Sequence, residues 1–82
     1  MLLLDDRHVI FEKDNIAFLN SRKVRTDLED LTPSDVVRLV RPFVGDLYST
    51  DLQSIEKEDD KFVITIRRDC EVYHGTFFIY RN

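Results

Sequence analysis

Cys70 and His74 are the residue types here that could support nucleophilic chemistry, a thiolate beside a base. They stand four apart. On a strand that spacing puts both on one face but ~13 Å from each other, so they could pair only if a turn folded them together. No third group is placed to orient the histidine. The reading adopted is a turn cysteine and a surface histidine. A metal centre needs three or four close ligands. His8, His74, Cys70 and the scattered carboxylates show no HxxxH, CxxC or HxH spacing. Glu58-Asp59-Asp60 lacks the spaced ligands and the glycine of a calcium loop, and reads as a solvated turn. Sixteen acids in 82 residues make many accidental carboxylate pairs, and none sits in an apolar stretch that would raise its pKa. The expectation is no catalytic residue, no cofactor, no metal and no small-molecule substrate: not an enzyme.

Binding chemistry is the other possibility. The segment His74-Gly75-Thr76-Phe77-Phe78-Ile79-Tyr80-Arg81 can be set against the RNA-recognition signature of a basic residue, Gly, an aromatic, a small residue, Phe, Val, any residue and an aromatic. Gly75, Phe78 and Ile79 fit. Thr76 and Arg81 occupy aromatic slots, so the stacking positions fail and the segment reads as a core strand. Arg22, Lys23 and Arg25, with Arg38 and Arg41, could contact phosphates in a winged-helix arrangement. Its helices would lie at 14–24 and 33–41, with Lys61–Tyr80 as the wing. Asp27, Glu29, Asp30 and Asp35 dilute that basic set. An acidic mimic of DNA is the opposite idea, but twelve bases interleave with the acids.

Composition narrows these choices. The chain carries net charge −4 and a pI near 5.0, which disfavours generic binding to nucleic acid or to anionic membranes. With 43% hydrophobic and 11% aromatic residues it is no disordered chain. One cysteine forms no internal disulfide, and no apolar run approaches the ~18–20 residues that span a bilayer. The opening Met1-Leu2-Leu3-Leu4-Asp5-Asp6 lacks the basic start and length of a signal peptide. The expected location is cytoplasmic. A domain this small buries only about 60% of its unfolded surface, which leaves little room for a deep pocket.

The elements that must position any site follow from patterning. We expect one α+β domain over 1–82, a capped helix packed on an antiparallel sheet. Residues 7–12 and 16–20 are predicted as a hairpin around Lys13-Asp14-Asn15, with a helix over 15–24 as the alternative. Residues 20–30 read as an exposed connector. Thr32-Pro33-Ser34-Asp35 is a helix start: Thr32 caps, Pro33 lacks only an N–H that would be unbonded, and Asp35 faces the positive end of the dipole. The helix is predicted over 33–41, interrupted by Pro42, with an extension to about 48. Lys61–Arg67 alternates as a strand, Glu71–Tyr80 returns as a longer one with Gly75 a bulge or bend, and Leu52–Lys57 is a weaker third. Short connections make these a meander, with the helix over Phe62, Ile64 and Ile66. The predicted core is Val9, Phe11, Ile16, Phe18, Val36, Val37, Val40, Phe43, Leu47, Phe62, Ile64, Ile66, Phe77 and Ile79.

Phe77-Phe78-Ile79-Tyr80 is apolar on both faces, so one side must be covered or must present a patch. That oddity motivates the functional expectation: a small, acidic, non-enzymatic protein-interaction module, a regulator, inhibitor or adaptor. Its partner would be another protein or a second copy of itself. If the last strand lies at a sheet edge it could pair with a partner strand. Tyr73, Phe78, Tyr80 and Arg81 are the expected contact residues. Nucleic-acid binding through Arg22, Lys23, Arg25, Arg38 and Arg41 is the alternative.

Overall fold

A computed structural model describes residues 13–82. The predicted strand at 7–12, with Val9 and Phe11, lies outside the described residues. The remainder is α+β. Strand β1 (Asp14–Asn15) leads into a 3₁₀ helix (Ile16–Arg22), then β2 (Arg25–Thr26), helix α1 (Pro33–Val40), a 3₁₀ turn (Ser49–Asp51), β3 (Leu52–Lys57), β4 (Lys61–Ile66), β5 (Tyr73–His74) and β6 (Thr76–Arg81). The main sheet has the order β2-β6-β4-β3, and β1 pairs with β5 in a separate ribbon. β3, β4 and β6 are antiparallel neighbours, as the meander predicts, while β2 joins β6 in parallel.

The helix forms where its signals lie. The Thr32 hydroxyl accepts from the Asp35 N–H at 3.2 Å, and the Asp35 carboxylate accepts from the Thr32 N–H at 3.0 Å. This reciprocal cap satisfies two donors that a bare helix end leaves open. Val36, Val37 and Val40 are buried, and Val36 and Val40 share one cluster with Phe62, Ile64, Ile66, Phe77 and Ile79. Each of the large side chains in it is stabilised by roughly 1.5–3 kcal/mol on burial.

Several expectations are corrected. Residues 16–20 belong to a 3₁₀ helix, not to a hairpin strand. The Asn15 side chain caps it by accepting from the Ala17 N–H at 3.0 Å. Ile16 and Leu19 are three apart, which aligns them on one ridge of a three-residue turn. Phe18 falls off that ridge and is 45% exposed. The helix stops at Val40, as Pro42 predicts, but the extension to about 48 is a run of turns and not a helix. The Phe43 and Val44 N–H groups close a turn on the Val40 carbonyl. That turn buries Val44 and leaves Phe43 44% exposed, the reverse of the helical phase assumed from sequence. The connector 20–30 contains β2 and buries Val24 and Thr26.

The long C-terminal strand is two strands. Gly75 turns the chain with φ +102°, and a Cβ there would meet Asn15 Oδ1 at 2.6 Å. Only glycine takes that conformation without strain. β6 is an interior strand, so pairing of a partner with its edge is excluded. On its far side the Tyr80 N–H donates to Val24 O at 2.7 Å and the Asn82 N–H to Thr26 O at 3.1 Å. Where β2 has not yet begun, Asn20 Oδ1 takes the place of a strand and accepts from the Phe78 N–H at 2.9 Å.

Candidate functional site

The two faces of the sheet follow from register. Phe62 pairs with Ile79 and Ile64 with Phe77 on the core side. Lys61 pairs with Tyr80, Val63 with Phe78 and Thr65 with Thr76 on the other side, where all six are half-buried. No described helix covers that outer face. Phe78 and Tyr80, at next-but-one positions of β6, meet edge to face with ring centroids 6.3 Å apart.

Cations gather on these rings. Lys23 ends the 3₁₀ helix in the left-handed region, φ 52°, and its Nζ lies 5.1 Å from the Tyr80 centroid. Arg25 pairs with Tyr80 across β2 and β6, its Cζ 6.0 Å from the same ring. Lys61 Nζ lies 5.4 Å over Phe78. Arg22 Cζ sits 5.7 Å over the half-exposed ring of Phe43, in the turn after α1. Such contacts are each worth about 0.5–1 kcal/mol where solvent reaches them. Among the described residues Arg22, Lys23 and Arg25 form no ion pair with a carboxylate, whereas Lys61 is shared with Glu58 at 3.2 Å and Asp60 at 3.4 Å. Glu56, opposite Val63 on β3, marks where the cationic surface ends.

The residues singled out from sequence therefore separate. Phe78 and Tyr80 share the outer face. Tyr73 does not: it is buried, and its hydroxyl donates to Asp46 Oδ1 at 2.6 Å. Burial, then the bond to Asp46, pushes its pKa up to about 12. Arg81 turns to the core side, 5.9 Å over the Phe62 ring, and donates to the carbonyls of Glu58 and Asp59 at 2.9 and 3.1 Å. It clamps the acidic turn instead of offering a contact. Lys23 and Arg25 converge on Tyr80, while Arg22 lies over Phe43 instead. Arg38 is held by Asp35 at 2.7 Å, and Arg41 donates to the Gly45 carbonyl at 3.2 Å. Both line an open cleft of about 750 Å³ with Ser34, Val37, Pro42 and Tyr48.

The winged-helix arrangement is not formed. Lys61–Tyr80 is no projecting wing, since Phe62, Ile64, Phe77 and Ile79 fill the core. Cys70 is buried and His74 exposed, and no hydrogen bond joins them. Among the described residues no three His, Cys, Asp or Glu side chains cluster as metal ligands, and no helix is long and apolar enough to cross a membrane. Lys61 is a member of the surface that sequence reasoning missed. The alternation of 61–67 puts Lys61 on the face away from Phe62, but its place opposite Tyr80 comes from the distant β4–β6 pairing and not from the 58–60 turn. Comparison with protein-family models, with curated proteins and with solved structures gives no match.

Proposed function

We propose that this chain is a small, non-enzymatic, cytoplasmic interaction module that docks an anionic partner on the outer face of its sheet. The observation behind this is the convergence of Lys23 and Arg25 on Tyr80 beside Phe78, in a protein whose overall charge is −4. Aromatic and basic side chains are among the types that dominate binding energy at interfaces. Cations free of carboxylate partners leave their charge available to an incoming anion. The single buried thiol, Cys70, fits a reducing compartment.

The reading is tested by affinity capture with the full chain, comparing wild type with Phe78→Asp/Tyr80→Asp and with Lys23→Glu/Arg25→Glu. Both pairs should lose the same captured component while the circular dichroism spectrum stays that of wild type. Unaltered capture by the charge-reversed pair overturns the reading. So does unfolding of the Phe78/Tyr80 pair together with normal capture by the other. Light scattering in parallel reports whether the captured component is a second copy of the chain.

A further inference from the structure

We infer that the anionic partner is a second copy of this chain, packed face to face on the outer side of the sheet about a two-fold axis parallel to the strands; this rests on the docking face proposed above. The face is electrically lopsided. The order β2-β6-β4-β3 puts Lys23 and Arg25 at its β2 margin, beside Tyr80. Glu56 and Glu58 stand at its β3 margin, Glu56 opposite Val63 and Glu58 against Lys61 at 3.2 Å. Phe78 and Val63 pair between the margins as an apolar centre. Register sets these groups on rungs. Arg25 pairs with Tyr80 and Tyr80 with Lys61, and the Glu58 N–H donates to Lys61 O at 2.8 Å, so Arg25 and Glu58 end one rung. Phe78, Val63 and Glu56 share another, ~7 Å further along the strands.

Two closed arrangements stack a sheet face to face on its own copy. An axis across the strands lays β2 on β2 and β3 on β3, which sets like charges together. An axis along the strands lays each β2 margin over the other copy's β3 margin and each β6 over the other copy's β4. Phe78 of each copy then covers Val63 of the other, filling the ~10 Å between stacked sheets. Arg25 of each meets Glu58 of the other on its own rung and Glu56 on the next. Glu56 makes no ion pair among the described residues, so its charge is open to such a contact. Both halves of the contact lie on one surface, which is what a two-fold interface requires. At net −4 the chain is itself an anionic partner.

The test is analytical ultracentrifugation of the full chain over a series of concentrations and salt. A dimer of two 9.8 kDa chains should form and should weaken as salt rises, because the crossed pairs are screened. A dimer without those pairs would tighten instead, since salt relieves the repulsion between two chains of charge −4. Arg25→Glu and Glu56→Lys, both at exposed positions, should each weaken dimerisation on the order of ten-fold. An equimolar mixture of the two variants should dimerise more tightly than either alone, because the Arg25–Glu56 contacts again join opposite charges. That recovery also shows that both variants are folded. Wild type that stays monomeric at the highest concentration reached, a dimer that tightens with salt, or a mixture no tighter than its components overturns the inference. In each of those cases loss of capture by Lys23→Glu/Arg25→Glu leaves the anionic docking face standing with a different partner, and unaltered capture removes both.

Discussion

At Tyr73 the phenol lies against the Asp46 carboxylate with its ring in the core, so losing the hydroxyl proton would set two negative charges side by side. The folded state therefore holds that proton more tightly than the unfolded chain does, with a pKa of about 12 against 10.0. This stabilisation is complete below pH 10 and is lost as pH rises toward 12. Denaturant unfolding at pH 9 and 11.5 should show wild type weakening over that window. Tyr73→Phe should be weaker by about 1 kcal/mol at neutral pH and should lose this contribution to the alkaline slope. An identical slope in the variant would refute the assignment. Residue type alone misleads at this scale. Tyr73 looked like a contact residue and is core; Phe18 and Phe43 looked like core and lie at the surface. An aromatic's side is decided by the phase of its backbone, and Gly75 and Pro42 reset that phase beside two of the three.

Elements with local causes were legible before any coordinates. Thr32, Pro33 and Asp35 mark the start of α1 within four residues, and the alternation of 61–66 with its polar turn marks the β3–β4 hairpin. The short strands β1, β2 and β5 were not legible, because two residues carry no period and exist only through partners far along the chain. The 3₁₀ helix was missed for a related reason. Its repeat of three over seven residues mimics a broken strand as easily as a broken helix. The candidate face was half legible: its aromatics and two of its cations stand in the sequence, but not their convergence. Two variants compare the local and distant causes. Thr32→Ala removes one cap and should cost about 1 kcal/mol. Gly75→Ala imposes a strained φ and drives Cβ into Asn15, the residue that caps the 3₁₀ helix, and should cost more, about 2–3 kcal/mol. Thermal midpoints in the reverse order would contradict the account of that junction.

Taken whole, the molecule is closed by its last strand. β6 lies between β2 and β4, so within the sheet the strand at 25–26 reaches β4 through residues 76–81. A chain stopped at Gly75 should lose cooperative thermal unfolding altogether, as followed by circular dichroism; a sharp transition in that truncation would mean the remaining strands suffice. Contacts of such long sequence separation slow folding, since loop-closure entropy is lost before they form. The same arrangement bears on the order of assembly. As the chain folds, Phe62, Ile64 and Ile66 of the local hairpin can pair with β3 before Phe77 and Ile79, from a later segment, cover their other flank. Until then that hairpin has one open flank, and Glu58, Asp59 and Asp60 at its tip set like charges against a second copy adding there.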